Sequence, residues 1–354
     1  MLRRLSNVFE NLFHPDANVT GMTRRVTIHD VAHEAGVSVA TVSKAVNGRY
    51  GIAVETSRRV MEAVEKLGYA SSLVASSMRS RRTGVIGVLV ADFEPFSAEI
   101  LKGVSLALRD SELDLLAYSG SRQRDSTGWE RRSLSRLSGT LIDGAIMVTP
   151  TVIKASSDIP IVAIDPHAGP MDLPTVESDN FGGALLATRH LIQLGHRRVG
   201  FVAGRPDLRS SRLREAGYRQ GLQEAGIPFR QDLVRVGLYQ QDTAKESTTS
   251  LLSGLERPTA IFAANDLSAI AVIERATSLG LTVPGDLSVI GFDDIPEAAQ
   301  LSTPLTTIRQ SMQKLGEDAV ELLLTLMDGQ EPIDMHIRLP TALVRRATTA
   351  PPAL

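Results

Sequence analysis

From Gly84 onward the sequence alternates short apolar runs with longer stretches whose apolar residues recur at helical spacing. The apolar runs include GVIGVLVAD, DGAIMVTP, PIVAID, RRVGFVAG, TAIFAAND and LSVIGFDD, with helical stretches such as AEILKGVSLALRDS and LSAIAVIERATSLG between them. A strand that is apolar on both faces is typical of a parallel sheet covered by helices. The alternation therefore predicts an α/β fold of doubly wound parallel sheets, with enough chain for two lobes.

Polar side chains close several of these predicted strands: Asp92, Thr149, Asp165, Asn265, Asp266, Asp293 and Asp294. In open α/β sheets, ligands bind beyond the carboxyl ends of the strands, so these residues are candidates for lining a cleft. Adjacent strand residues point to opposite faces, and only one of Asp293 and Asp294 can therefore face a given cleft.

The chain before Gly84 has a different pattern, because residues 24–70 contain three short helical stretches. IHDVAHEAGVSVATVSKAVN has the proportions of a helix–turn–helix, with Gly36 in the turn and Ser38 as the N-cap of the second helix. The Ser, Thr, Asn and Lys side chains of the second helix suit phosphate oxygens and base edges. The pattern favours a DNA-binding headpiece, with a plain helical hairpin as the alternative.

The distribution of charge supports DNA binding. Residues 23–82 hold ten Lys or Arg and five Asp or Glu, a net charge of +5 in a chain whose total is −2. The first 22 residues are balanced, so residues 83–354 carry about −7. A basic head on an acidic body indicates that the head binds a polyanion.

Other classes of function lack their sequence signatures. The chain has no Cys, which excludes disulfides and thiolate chemistry and fits the cytoplasm. No apolar run approaches the roughly 18 residues of a membrane span, and the first residues make a poor signal peptide. Catalytic and phosphate-binding motifs are missing, and His29 and His33 have no third metal ligand nearby. The sequence predicts a cytoplasmic protein that is no enzyme, spans no membrane and holds no metal or cofactor.

Seven segments carry a resemblance to a known family: VTIHDVAHEAGVSVATVSKAVNG, VMEAVEKLGY, HLIQLGHRRVGFVAG, SSRLREAGY, FAANDLSAIAV, LSVIGFDDI and PLTTIRQ. In this order, from about residue 24 to 347, they resemble the LacI/GalR family of bacterial transcriptional repressors. The resemblance implies an all-α helix–turn–helix headpiece, a hinge, and a periplasmic-binding-protein-like core of two doubly wound parallel-sheet lobes.

The resemblance also implies domain boundaries: a leader at 1–23, either disordered or ahead of the true start, the headpiece at 24–70, the hinge at 71–83, the core at 84–347 and a tail at 348–354. The first lobe takes about 84–180 and 308–332, and the second about 181–307 and 333–347. Such regulators act as homodimers on near-palindromic operators. The Pro-rich end, RRATTAPPAL, is too short for a tetramerising coiled coil, so we expect a dimer.

The DNA contacts of the family can be carried over to matching positions. Val39, Ala40 and Lys44 match the base-reading positions of the recognition helix, where Lys44 can donate to guanine O6 and N7. Backbone-contacting positions correspond to Thr27, His29, Ser38, Thr41, Ser43 and Asn47. In the hinge, YASSLVASSM stands for the family's YxPNxxAxxL: Ala75 matches, Ser72 replaces the Asn and is a candidate cap, Met78 is the apolar wedge, and Arg79 adds a phosphate contact.

The effector cleft is implied in the same way. Arg212 matches the arginine that grips hydroxyl or carboxylate groups, and Asp293 matches the aspartate that binds sugar hydroxyls. Asp165 and Asn265 are further polar positions, and Tyr239 is a stacking aromatic. Phe96 is followed by Ser97 where the family often has a second aromatic. The smaller, more polar wall favours a sugar or short oligosaccharide over a purine.

These observations predict a repressor whose affinity for double-stranded operator DNA is controlled by a small molecule bound between the lobes. Two alternatives remain. One is a purine- or nucleoside-responsive regulator of the same family. The other is a solute-binding protein for uptake, which explains the core but predicts a signal peptide and no headpiece.

Overall fold

The computed structural model describes residues 26–46, 52–67, 82–120, 129–138, 141–151, 157–167, 173–254 and 256–353. The chain divides into two compact units, Met1–Ser76 and Ser77–Leu354, which we name the headpiece unit and the core unit. None of the helices within these described ranges is both long enough and apolar enough to cross a membrane.

The described part of the headpiece unit contains three helices: α1 (Ile28–Ala35), α2 (Val39–Val46) and α3 (Val54–Leu67). The backbone N–H and the hydroxyl of Thr27 both donate to Asp30 Oδ2, at 2.8 and 2.7 Å, which fixes the start of α1. The helix ends at Gly36, whose φ of 61° is in the left-handed region that favours glycine. Small apolar side chains form the core: Val31, Ala32, Ala35, Val42, Ala45, Val60 and Ala63.

The first lobe of the core unit is built on a parallel sheet, as the apolar runs predict. Its strands in the described residues are β1 (Val85–Val90), β2 (Asp114–Ser119), β3 (Gly144–Val148), β4 (Ile161–Ile164), β5 (Thr175–Ser178) and β11 (His336–Leu339). Their spatial order is β11-β5-β4-β3-β1-β2, and every neighbouring pair is parallel. Within the described ranges, the helices of this lobe are α4 (Pro95–Ala107), α5 (Trp129–Leu137) and α11 (Met312–Met327).

The second lobe has a smaller parallel sheet, with strands β6 (Val199–Ala203), β7 (Val234–Val236), β8 (Ala260–Ala263) and β9 (Ser288–Ile290) in the order β7-β6-β8-β9. Its helices are α6 (Asn180–Gln193), α7 (Arg209–Glu224), α8 (Gln241–Leu252), α9 (Asp266–Ser278) and α10 (Pro296–Gln300). Aromatic side chains fill this lobe, where the rings of Phe201 and Tyr218 stack with centroids 5.0 Å apart. An antiparallel pair, β10 (Thr307–Arg309) and β12 (Ala342–Val344), completes the core unit.

Two of the expected boundaries are wrong. The chain does not leave the first lobe near 333, because His336–Leu339 pairs in parallel with Thr175–Ser178 and the crossing comes only at Pro340. Residues 348–350 are not a tail, because Thr348 is fully buried against the second lobe. Its carbonyl accepts from the N–H of Val289 at 2.8 Å, and its hydroxyl donates to the carbonyl of Val289 at 2.7 Å.

Candidate functional site

A polar cleft of about 590 Å³ lies in the core unit at the carboxyl ends of strands from both sheets. This is the place that the topology of open α/β sheets predicts for a ligand. The first lobe contributes Asp92, Phe96, Ser97, Thr149, Asp165 and His167, and the second contributes Arg214, Tyr239, Asn265 and Asp293. A ligand held there touches both lobes at once.

Several residues of the cleft have left-handed backbone conformations that non-glycine residues rarely adopt. Thr149, Asp165 and Tyr239 have φ angles of 49°, 44° and 62°, and Asp293 has a φ of 121°. Each such conformation costs on the order of 1–3 kcal/mol and persists only where the surrounding structure enforces it. Backbone strain of this kind is concentrated at ligand sites, so its position here supports a binding role for the cleft.

Arg214 is the centre of a buried hydrogen-bond network that joins four elements. Its Nε donates to Asn180 Oδ1 at 2.8 Å, and its Nη1 donates to the carbonyl of Ala264 and, at 3.3 Å, to Asp293 Oδ1. Gln310 Nε2 donates to the same carboxylate oxygen of Asp293 at 2.6 Å. The guanidinium also lies 3.8 Å from the ring centroid of Phe292, a cation–π contact. These contacts hold Arg214 and Asp293 in fixed positions before any ligand arrives.

Burial shifts the pKa values of the two carboxyl groups at the centre of the cleft. Burial raises the pKa of Asp293 to about 7, against the opposing effects of Arg214 and Gln310. Burial also raises the pKa of Asp165 to about 6, although Arg214 and hydrogen bonds from Ser178 and Asn180 oppose the shift. Burial therefore makes Asp293 the more readily protonated of the two, and the oxygens of both carboxyl groups serve as hydrogen-bond partners.

Six of the seven residues predicted for effector binding line the cleft, namely Phe96, Ser97, Asp165, Tyr239, Asn265 and Asp293. Asn265 additionally caps α9, since its Oδ1 accepts from the N–H of Ser268 at 3.0 Å. Only one of Asp293 and Asp294 lines the cleft, as predicted, although both follow the end of β9 and have positive φ angles, so strand alternation is not the reason. Asp294 lies outside the cleft lining and pairs with Arg309 and Arg346.

The placement of Arg212 in the cleft is wrong. Arg212 is exposed, and its Nη1 donates to the carbonyls of Pro206 and Asp207. Residues that are two positions apart in a helix are rotated by about 200° around its axis. The side chains of Arg212 and Arg214 therefore leave α7 in nearly opposite directions. The buried face of α7 could have been found from helical spacing, because Arg214 precedes the buried Tyr218 by four residues.

Three further residues of the site were missed by sequence reasoning. His167 lines the cleft two residues after Asp165, and Asn180 and Gln310 hold Arg214 and Asp293 from behind. Asn180 begins α6 and lies in none of the seven family-like segments. Gln310 is the last residue of the segment PLTTIRQ, but no binding role was predicted for it. Asp266, another strand-end candidate, is buried away from the cleft and accepts from Thr307 Oγ1 and the N–H of Ile295.

The headpiece surface, which we define as Thr27, His29, Ser38, Ala40 and Lys44, is exposed. Ser38 caps α2, because its Oγ accepts from the N–H of Thr41 at 3.1 Å, and the two hydroxyl groups lie 2.9 Å apart. Val39 differs from its predicted role in part, since its side chain packs against the apolar core of the headpiece. Thr41 and Ser43 are half-buried on the same helix.

Asn47, Ser72, Ala75, Met78 and Arg79, the remaining residues predicted to contact DNA, lie outside the described residues. Among the residues that are described, no cluster of three or more His, Asp or Glu could hold a metal ion.

A helix–turn–helix unit and a two-lobed α/β core with a polar cleft, joined in one chain, define a class of ligand-responsive transcriptional regulators. Residues 27–72 match the family model of bacterial regulatory proteins of the lacI family, and residues 188–349 match the periplasmic binding protein-like domain. The chain belongs to the LacI family of transcriptional regulators, whose members are not enzymes.

Relatives along almost the whole chain support this assignment. Catabolite control protein A of Priestia megaterium is 32% identical over 92% of this chain and 99% of its own length. The transcriptional repressor PurR of Aliivibrio salmonicida (strain LFI1238) is 34% identical over 84% of this chain and 91% of its own. The predicted regulator class is therefore confirmed.

Two solved structures have the same fold. The Lac repressor dimer bound to operator and the anti-inducer ONPF is 27% identical, with a TM-score of 0.79 over 92% of this chain and all of that chain. The complex of the transcriptional regulator CelR with cellobiose is 29% identical, with a TM-score of 0.69 over the same fractions. The predicted fold class is confirmed.

Proposed function

We propose that this chain is a repressor that binds a near-palindromic operator as a homodimer. Binding of a neutral sugar or short oligosaccharide in the cleft raises or lowers its affinity for the operator. The observation that carries the effector assignment is the Arg214–Asp293 network, a fixed donor and acceptor pair inside a cleft shared by two lobes. Because operators lie on the bacterial chromosome, this function places the protein in the cytoplasm.

The headpiece supplies the DNA-binding half of the proposal. Lys44 and Ala40 are exposed four positions apart on α2, so they lie on one helix face, as base-reading residues must. Two headpieces related by two-fold symmetry would read two half-sites of opposite orientation. The similarity to the Lac repressor dimer on its operator supports this arrangement.

The choice of a sugar rests on the chemistry of the cleft. Its side chains are mostly hydrogen-bonding groups that converge from both lobes, and Ser97 gives the wall next to Phe96 a small polar residue. A cavity of about 590 Å³ is within the usual range for small-molecule sites. Similarity to the CelR–cellobiose complex supports a sugar, whereas similarity to PurR keeps a purine as the second candidate.

Coupling between the two sites follows from the shared cleft. An effector that contacts both lobes favours one relative arrangement of them over another and thereby biases the hinge segment at 71–83. The coupling free energy of such regulators is typically about 1–3 kcal/mol and must act in both directions.

Fluorescence anisotropy with a labelled duplex tests the proposal directly. The full chain is titrated onto candidate operators from the neighbourhood of its own gene, with and without a panel of neutral sugars and purine bases. We expect specific binding that one neutral sugar changes by about tenfold or more. Absence of specific duplex binding under every condition contradicts the repressor assignment, and a response to purines alone contradicts the sugar assignment.

A further inference from the structure

His167 is a buried polar side chain of the cleft that the network around Arg214 does not use. It is 8% exposed and lines the cleft from the segment that follows β4. Its ring Nδ1 has no hydrogen-bond partner among the residues that the structure describes. A buried polar atom without a partner costs roughly 1–3 kcal/mol, which marks the ring as a group kept for something other than stability.

The backbone of His167 is held by both lobes. Its N–H donates to the carbonyl of Pro150 at 2.9 Å in the first lobe, and its carbonyl accepts from the N–H of Arg209 at 3.2 Å, at the start of α7 in the second lobe. The residue is therefore bonded to both lobes at the cleft.

The imidazole is neutral throughout the physiological range. Burial lowers the pKa of His167 to about 3, and the positive charges of Arg205, Arg214 and Arg212 act in the same direction, with Asp207 opposing them. A neutral imidazole offers one N–H donor and one nitrogen acceptor. A hydroxyl group can satisfy either nitrogen, whereas an ionised phosphate or carboxylate can satisfy only the donor. The cleft lining holds two arginines, Arg205 and Arg214, against five carboxyl side chains, namely Asp92, Glu94, Asp165, Asp207 and Asp293, so an added anion meets more acidic than basic groups.

We propose that His167 is a specificity-determining residue that hydrogen-bonds one hydroxyl of the effector and makes the cleft select uncharged polyhydroxyl ligands over their phosphorylated forms. This inference rests on the proposed sugar effector. It adds a recognition group on the first lobe, opposite the Arg214–Asp293 pair on the second.

The test measures sugar affinity of the full chain by calorimetry for the wild type, His167→Leu and His167→Gln, with His336→Leu as the control. His336 lies in the same lobe but is exposed and outside the cleft lining. The ligands are neutral mono- and disaccharides including cellobiose, their 6-phosphates, purine bases, and the single-deoxy analogues of the sugar that binds. We expect His167→Leu to lose about tenfold or more in affinity, His167→Gln to retain most of it, and His336→Leu to match the wild type.

For the wild type, one deoxy analogue should bind more weakly than the parent sugar by the same factor. For His167→Leu, that analogue and the parent sugar should bind with equal affinity. A merely structural role for His167 cannot produce this pattern. If a variant unfolds, NMR of the wild type takes its place: the imidazole ¹⁵N resonances of His167 are followed, and the sugar that binds should shift them. Sugar binding that is indifferent to His167 and leaves its ring resonances unmoved overturns this inference alone. Preference for a sugar phosphate overturns it too, while binding of purines and no sugar overturns the proposed effector class with it.

Discussion

The headpiece surface and the core cleft hold their polar side chains in opposite ways. On the headpiece, Lys44 is exposed, and the hydrogen bonds of Thr27 and Ser38 stay within one helical turn. In the cleft, Arg214 and Asp293 are buried and bonded to each other and to residues far away in the chain. The proposed DNA-contacting side chains are therefore exposed at the surface, whereas the proposed effector site is assembled before a ligand binds.

Because of this difference, removing a polar group of the cleft should lower the unfolding free energy of the core. Arg214→Met leaves Asn180 Oδ1 without its donor and leaves the buried carboxyl of Asp293 with Gln310 but no positive charge, so the core should lose about 3–5 kcal/mol of unfolding free energy. Urea denaturation of the full chain, followed through the transition of the core, measures this loss.

Arg212→Met is the matched control, since it changes the same residue type two positions away on an exposed face. It should cost about 0.5 kcal/mol or less. Equal losses of unfolding free energy for the two variants would contradict a buried structural role for Arg214 and not for Arg212.

Asp293→Asn tests the binding role of the cleft. The variant keeps the shape of the side chain but replaces an acceptor oxygen with a donor, so effector affinity should fall by about a hundredfold while operator binding is unchanged. Calorimetry with the effector and anisotropy with the operator measure the two quantities. Asp294→Asn, which alters an ion pair outside the cleft lining, should leave effector affinity within about threefold.

Lys44→Ala should have the opposite pattern, changing operator binding and not effector binding. It should weaken binding to the cognate operator by about 1–3 kcal/mol and relax specificity at one base pair, with no change in effector affinity or in stability. Anisotropy on duplexes substituted one base pair at a time checks this. An equal loss on random DNA would make Lys44 a phosphate contact instead.

The smallest expected effect is a pH dependence confined to the cleft. The pKa of Asp293 is raised to about 7, so its carboxyl group loses its proton as the pH rises. An effector whose hydroxyl donates a hydrogen bond to the ionised carboxylate therefore binds more tightly at higher pH. Titration of Asp293 should raise affinity by no more than about tenfold from pH 6 to 8. In Asp293→Asn only the smaller dependence contributed by Asp165, whose pKa is raised to about 6, should remain. The folded pKa lies above the unfolded value, so the same group lowers core stability between about pH 4 and 7 as the pH increases. A flat affinity profile in the wild type would contradict the carboxylate role.

The same contrast explains what could be predicted from the sequence. The headpiece is local: Gly36, Ser38 and the apolar spacing of α1 and α2 appear within 20 consecutive residues, and the structure follows them. The strand-end residues Asp165 and Asp293 were also predictable, because the carboxyl end of a parallel strand is a fixed place in the fold.

What could not be predicted depends on pairing over long distances. Nothing in HIRLP states that it adds a parallel strand beside residues 175–178, and the expected crossing near 333 was wrong for that reason. Likewise the bond from Gln310 to Asp293 joins the interlobe connection to the end of β9, which only the folded chain brings together.

A closed thermodynamic cycle tests the central claim that the cleft controls the headpiece. Operator affinity is measured by anisotropy with and without saturating effector, and effector affinity is measured by calorimetry with and without saturating operator. We expect the effector to change operator affinity by the same factor, about fivefold or more, by which the operator changes effector affinity. Asp293→Asn should remove the effect of added effector on operator binding. Tight effector binding in the wild type with no change in operator affinity would contradict it.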